Sequence, residues 1–171
     1  MVGPPHYIAC LDLRGRCCLV VGSGLVAEEK ARGLEAAGAL VTTRDRYQPG
    51  DARGHWLVIA CAADRELNRL VRADCDELGS FCNVADDPEL CSFILPAIHR
   101  EGAITVAVST GGASPALAQR LRAEIADLVT PRHAELAEEL RALRPWAKEN
   151  LPSYEARRDF FAAKVEEALR S

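Results

Sequence analysis

The chain has 171 residues, 49% hydrophobic and 27% charged, which suffices for one α/β domain with a small appendage and a sizeable core. A formal net charge of −4 disfavours nucleic-acid binding, and the longest apolar runs are too short for a membrane span. The first ten residues lack an apolar signal core and the seven cysteines form no C-x-x-C pair, so we expect a cytoplasmic protein with reduced thiols and no metal site.

Strand and helix patterns alternate over the first two thirds of the chain. Residues 17–21 form an apolar run that predicts a buried parallel strand, and residues 24–38 carry apolar side chains at helical spacing. Asp64 is placed to cap a helix that runs through residue 76. Further strands are predicted at residues 39–43, 57–61, 81–84 and 104–108. This alternation predicts an α/β fold, a Rossmann-type doubly wound parallel sheet.

The pattern changes near Thr130, after which apolar residues recur only at helical spacing. Pro152 separates two predicted helices, and Ser153 is a plausible cap for the second. We therefore expect a C-terminal helical appendage. By function, the chain divides into a nucleotide-binding Rossmann domain (1–112) and a helical region for dimerisation or substrate contact (113–171).

A glycine-containing turn joins the first strand to the first helix, with the sequence G-x-G-x-x-A at residues 22–27. The first glycine permits a tight turn, the second lets the backbone approach a pyrophosphate, and the helix N-terminus supplies free N–H groups. The turn predicts dinucleotide binding; a turn that serves packing alone is the alternative. The predicted contacts are Gly22, Ser23, Gly24, Leu25 and Val26.

The adenosine ribose should be bound by an acidic residue near the end of the second strand, and Asp45 lies at the expected distance. Arg44 and Arg46 flank it, and arginine at this place favours the 2′-phosphate of NADP. The residues alone therefore leave open whether the cofactor is NAD or NADP. A solvated charged turn without a binding role is the alternative for all three residues.

Two later segments carry polar groups next to predicted strand ends. Asp86 and Asp87 follow the strand 81–84 and supply a candidate general base, with a simple turn before Pro88 as the alternative. Residues 109–115 read STGGASP, in which Ser114 caps a helix that Pro115 begins. That helix start is a candidate anion site, or a well-capped turn and nothing more.

Taken together, these segments resemble the N-terminal module of siroheme synthases, the precorrin-2 dehydrogenase/sirohydrochlorin ferrochelatase family. The resemblance spans most of residues 7–128 and rests on the glycine turn, on CNVADDPELCSFILPAI and on ITVAVSTGGASPALAQRLR. It implies NAD-dependent oxidation of precorrin-2 to sirohydrochlorin, with Fe²⁺ insertion into the product as a further activity.

The resemblance also implies roles for individual residues. Asp86 matches the aspartate implicated in catalysis in this family. The substrate is a tetrapyrrole with eight carboxylates, which fits the second helix start. The residues predicted to bind it are Asn83, Thr110, Gly111, Gly112 and Ser114. Members of the family commonly form homodimers, and the apolar faces of the tail (Leu136, Leu140, Leu143) either serve that contact or pack within the chain.

The chain departs from the family pattern between the second and third strands. Members usually carry an additional helix and strand here, whereas only residues 44–56 separate the two strand patterns, so a parallel crossover is tight. Three alternatives to the full activity stay open: a dehydrogenase without chelatase activity, a non-catalytic nucleotide-sensing module, and a methyltransferase with a related glycine turn. The motifs around Asp86 and Gly111 favour the enzyme over the last two.

Overall fold

A computed structural model describes residues 6–170 and divides the chain into two compact units, Met1–Leu95 and Pro96–Ser171. The strands are β1 (Cys17–Val21), β2 (Leu40–Arg44), β3 (Leu57–Ala60), β4 (Phe81–Val84), β5 (Ala97–Glu101) and β6 (Ile104–Val108). The helices are α1 (Leu25–Ala36), α2 (Arg65–Leu78), α3 (Pro115–Leu128), α4 (Pro131–Asn150) and α5 (Tyr154–Leu169). The boundary between the two compact units follows Leu95. The functional boundary after residue 112 that the sequence suggests stays a prediction.

The first unit is built on a parallel sheet in the order β2-β1-β3-β4. Side chains alternate along β1, so that Cys18 and Val20 join the core beside α1 while Leu19 and Val21 join the core beside α2. All four are fully buried. Burying such a side chain contributes about 2 kcal/mol, so both faces of the strand stabilise the sheet. Helices on opposite faces confirm the predicted doubly wound α/β architecture.

The link between β2 and β3, residues 45–56, contains turns but no helix or strand. It buries Tyr47 and Ala52 in the core beside α2. The carboxylate of Asp74 on α2 accepts hydrogen bonds from the Tyr47 hydroxyl and from the Gly50 N–H, both at 2.5 Å. Burial, and then the neighbouring Asp74, raise the pKa of the Tyr47 phenol, which therefore stays protonated and donates. These contacts anchor the short link to α2. In the strand order of the sheet, β2 is an edge strand.

The second unit corrects one prediction about the sheet. The strand at 104–108 was expected to extend the parallel sheet, but β6 pairs antiparallel with β5 in a separate two-stranded sheet. The prediction missed β5. Only two residues, Gly102 and Ala103, lie between these strands, and so short a connection permits antiparallel pairing alone.

The helical tail is confirmed. Helix α3 packs on the two-stranded sheet, and α4 and α5 pack against each other, with the rings of Trp146 and Phe160 5.4 Å apart. Leu136, Leu140 and Leu143 are half-buried and line a cavity together with residues of α5. Ser153 caps α5 as predicted, since its hydroxyl accepts from the Ala156 N–H at 3.1 Å.

Within residues 6–170, no helix combines the length and apolar character needed to cross a membrane.

Candidate functional site

The four parallel strands of the first unit end at one edge of their sheet, which we call the carboxyl edge. At that edge lie the residues that directly follow each strand: Gly22 after β1, Asp45 after β2, Cys61 after β3 and Ala85 after β4. Hydrogen bonds tie these ends together, from the Gly22 N–H to the Arg44 carbonyl and from the Cys61 N–H to the Val21 carbonyl. Ligands of open α/β sheets bind at such an edge.

Gly22 is required by a close approach of two strand ends. Its φ is +127°, and a Cβ at this position would lie 2.8 Å from the backbone carbon and oxygen of Cys61. Neither the conformation nor the space admits a side chain. The first glycine of the turn therefore lets β1 and β3 meet behind the candidate ligand site.

Gly24 serves a different purpose. It is the N-cap of α1 with φ +84°, and a Cβ there would meet no atom within 4 Å. No side chain caps α1, whereas Asp64 caps α2 with a hydrogen bond from Glu66 N–H at 2.9 Å. The side chains of Leu25 and Val26 are 80% and 51% exposed. An uncapped helix start with open space in front of it fits the pyrophosphate of a dinucleotide.

Asn68 on α2 supports the segment after β3, and sequence reasoning missed it. Its side chain is buried, and its amide donates to the Ala62 carbonyl at 2.9 Å. Ala62 in turn lies 3.2 Å from the Cβ position of Gly22. Among the residues that the structure describes, the Asn68 Oδ1 atom has no hydrogen-bond partner although it is buried. The sequence offers only a polar residue one helical turn after a predicted N-cap, and the burial of Asn68 becomes apparent in the structure alone.

The end of β2 carries the predicted ribose-binding residue. Asp45 lies one residue beyond the strand and is exposed, as is Arg46. Arg44 is the last residue of β2 and lies opposite Val21 in the parallel ladder. Its guanidinium pairs with Asp51 of the β2–β3 link at 3.1 Å. Sequence reasoning missed Asp51, because the fold of the link rather than its spacing brings this carboxylate to Arg44.

The two adjacent carboxylates after β4 have different environments. Asp87 pairs with Arg65 at 2.8 Å, and its side chain is only 14% exposed. Asp86 is exposed, and no hydrogen bond or ion pair joins it to another residue in the described part of the chain. Its φ of +61° makes it the one non-glycine residue among those described with left-handed backbone. A left-handed backbone at a non-glycine residue is frequent at functional sites. The exposure of the carboxylate leaves it accessible to a ligand.

Asp86 lies two residues beyond the end of β4, at the carboxyl edge. Burial raises the pKa of the Cys61 thiol, Lys30 on α1 lowers it and Asp86 raises it. The carboxylate is thus within electrostatic reach of the segment that touches Gly22. Asn83, predicted to bind substrate, is buried instead and donates to the Phe93 carbonyl at 3.0 Å. Its contacts within the described chain hold the segment after β4, and its substrate role stays a prediction.

The remaining predicted residues form a turn in the second unit, between β6 and α3. Thr110 Oγ1 accepts from the Ser114 N–H at 3.0 Å, and Ser114 Oγ accepts from the Leu117 N–H at 3.2 Å. Gly111 and Gly112 have φ values of +62° and +86°, with open space at both Cβ positions. The predicted capping role of Ser114 is confirmed. The cap engages the Leu117 N–H, which is then not available to a substrate carboxylate.

Comparison with known proteins identifies the family. A family model described as "Putative NAD(P)-binding" matches residues 9–97, just over half of the chain. The chain belongs to this NAD(P)-binding family. A second model, described as "Sirohaem biosynthesis protein central", matches residues 101–128. The resemblance to the siroheme synthase module drawn from the sequence is thereby confirmed.

Relatives agree with this assignment. The chain is 40% identical to siroheme synthase 2 of Aeromonas hydrophila subsp. hydrophila, over 87% of this chain and 36% of that protein. It is 37% identical to the siroheme synthase of Methylococcus capsulatus, over 91% of this chain and 37% of that protein. The chain thus spans little more than a third of these relatives. The second alignment covers 177 residues, more than this chain contributes, so the relative has residues without a counterpart here.

A solved structure shares the fold. The chain aligns with "SirC, precorrin-2 dehydrogenase" with a TM-score of 0.77 and 22% sequence identity, covering 96% of this chain and 98% of that chain. At this identity the likeness establishes the architecture and not the activity.

Proposed function

We propose that this chain is a NAD-dependent dehydrogenase that oxidises precorrin-2 to sirohydrochlorin. The observation that carries the proposal is the open start of α1 beyond Gly22, where Gly24 leaves the helix uncapped. The proposal is further supported by the relatives named siroheme synthase and by the neighbour titled precorrin-2 dehydrogenase. The shared NAD(P)-binding family limits the cofactor to NAD or NADP.

The reaction removes two hydrogen atoms from the tetrapyrrole. When bound, the nicotinamide accepts one of them as a hydride, and the other leaves as a proton. The chain must therefore position the dinucleotide and accept that proton. We assign the first task to the N–H groups of the α1 start and the second to the Asp86 carboxylate, which is exposed at the carboxyl edge.

The substrate carries eight carboxylates, so its binding should use N–H and hydroxyl donors. We assign this role to the turn with Thr110, Gly111, Gly112 and Ser114. Asn83 stays a predicted contact as well, although its amide already donates to the Phe93 carbonyl. Support comes from the open Cβ space at Gly111 and Gly112, which leaves the backbone of the turn accessible. The internal bonds of Thr110 and Ser114 reduce the donors available, so we expect the two glycines to contribute most.

Three further features belong to the same proposal. Fe²⁺ insertion into sirohydrochlorin would make the chain a chelatase as well, with the metal as a substrate. A homodimer is expected from the resemblance, and a cytoplasmic location is expected from the cysteine pattern and the N-terminal sequence. The alternatives are a dehydrogenase that leaves metal insertion to another protein, and a nucleotide-binding module without turnover.

The proposal is tested by supplying enzymatically generated precorrin-2 and NAD⁺ under anaerobic conditions. We expect NADH to form together with the absorption spectrum of sirohydrochlorin. In Asp86→Asn the turnover number should fall by about 100-fold or more, with the dissociation constant of NAD⁺ unchanged, because a general base is lost while the glycine turn is intact. Glu89→Gln, which removes a nearby exposed carboxylate, is the matched control and should stay active.

Each alternative gives a distinct result. NAD⁺ binding without NADH formation supports the non-catalytic module. Sirohydrochlorin that takes up added Fe²⁺ no faster than in the absence of protein supports a dehydrogenase alone. Full activity in Asp86→Asn would show that another group accepts the proton.

A further inference from the structure

The residue that ends β2 lies directly beside the glycine turn. Arg44 pairs with Val21, the residue before Gly22, and its carbonyl accepts from the Gly22 N–H at 2.8 Å. In Rossmann folds the side chain near this position meets the 2′ group of the adenosine ribose. An acidic residue there binds the hydroxyl of NAD, and an arginine accommodates the phosphate of NADP. By register, Arg44 rather than Asp45 occupies this position.

A free arginine here would favour NADP, but Arg44 is not free. Its Nη1 atom lies 3.1 Å from Oδ1 of Asp51, and the other carboxylate oxygen of Asp51 accepts from the Gln48 N–H at 2.9 Å. The Asp51 side chain is 20% exposed, compared with 48% for Arg44. The carboxylate is thus the more firmly held partner and keeps the guanidinium in place.

The short link holds Asp51 at this place. Its neighbour Gly50 donates to Asp74 of α2, which also accepts from Tyr47. The position of the carboxylate is therefore fixed by the core and not by the flexibility of a surface loop. The link thereby brings an acidic residue back to the end of β2.

We propose that the Arg44–Asp51 ion pair makes the chain select NAD⁺ over NADP⁺, with Asp51 as the acidic residue at the adenosine ribose. The inference rests on the proposed dinucleotide site. A 2′-phosphate entering here would meet the Asp51 carboxylate, and it could use Arg44 only by breaking an existing ion pair. The 2′-hydroxyl of NAD⁺ brings no charge and finds an acceptor in Asp51.

The test is equilibrium binding, measured by titration calorimetry with NAD⁺ and with NADP⁺ in the absence of tetrapyrrole. The wild-type chain should bind NAD⁺ about tenfold more tightly or better. In Asp51→Asn the ratio of the two dissociation constants should move by about tenfold toward NADP⁺, because Arg44 is released to bind the phosphate. Asp45→Asn removes the exposed carboxylate that the sequence pattern selected, and this control should leave the ratio unchanged.

A second variant keeps the proposal testable if Asp51→Asn fails to fold. Arg44→Gln leaves Asp51 without its partner, so NADP⁺ should bind several-fold more weakly than to the wild-type chain while NAD⁺ binding changes little. The double variant with Asp51→Asn should lose the NADP⁺ binding that the single variant gained.

Three results would overturn the inference: a wild-type preference for NADP⁺, an unchanged ratio in folded Asp51→Asn, or an equal shift in Asp45→Asn. In each of them a dinucleotide still binds, so the proposed oxidation of precorrin-2 survives, with NADP⁺ as its cofactor in the first case. A folded wild-type chain that binds neither dinucleotide would instead contradict the proposed function, and the inference with it.

Discussion

Two turns in this molecule join a strand to a helix through glycines, and they differ in how the helix start is satisfied. The turn before α1 ends on Gly24, so no side chain caps the helix. The turn before α3 ends on Ser114, whose hydroxyl accepts from Leu117 while Thr110 accepts from Ser114. The first turn leaves the N–H groups of its helix start without a side-chain cap, whereas the second turn satisfies part of its own backbone. A strand–glycine–helix pattern therefore predicts an anion site best when no capping residue follows it.

Of the substitutions in the two turns, Gly22→Ala should have the largest effect on stability and on dinucleotide binding. The added Cβ would lie 2.8 Å from the Cys61 backbone, so we expect the free energy of unfolding to fall by about 3 kcal/mol and dinucleotide binding to be lost. Urea unfolding and NAD⁺ titration measure the two quantities. Gly15→Ala is the control, because Gly15 has a positive φ but open space, and it should cost about 1 kcal/mol. Equal losses in both variants would contradict the role of the close approach.

Gly24→Ala should separate binding from stability. The methyl group meets no protein atom but enters the space in front of α1, so NAD⁺ should bind at least about tenfold more weakly. The unusual backbone at Gly24 should lower the free energy of unfolding by about 2 kcal/mol. Gly54→Ala, at a similar φ and with similar space, should lose stability and retain NAD⁺ affinity. Undiminished affinity in Gly24→Ala would argue against the pyrophosphate site.

Ser114→Ala should have the smallest effect. Removal of the cap should lower the free energy of unfolding by about 1 kcal/mol without changing the dissociation constant of NAD⁺. Thermal unfolding and calorimetry check the two expectations, and Ser114→Asp should restore most of the stability. Weaker NAD⁺ binding in Ser114→Ala would mean that the second turn also serves the cofactor.

The sequence predicted most elements of this fold because local signals specify them. The strand at 81–84 and the caps at Asp64 and Ser153 depend on residues that lie next to each other in the chain. β5 was missed because its sequence, AIHRE, mixes apolar and charged residues, and its strand character comes from pairing with β6. Strands that depend on a partner leave weaker local signals.

The candidate site shows the same limit. Gly22 and Gly24 were found because glycine is needed for the backbone geometry itself. Asp51 and Asn68 were missed because both act across a loop, one on Arg44 and the other on Ala62. Nothing in their neighbouring residues announces those contacts, which exist only once the crossover and α2 have packed.

The anchoring of the β2–β3 link to Asp74 also has a consequence for the order of folding. The link buries Tyr47 and Ala52 against a helix that comes later in the chain, so β2 gains its final support only when α2 has docked. A growing chain would present β1, α1 and β2 before that helix exists. We therefore expect the end of β2, which we propose to meet the ribose, to reach its final structure after the glycine turn that it adjoins.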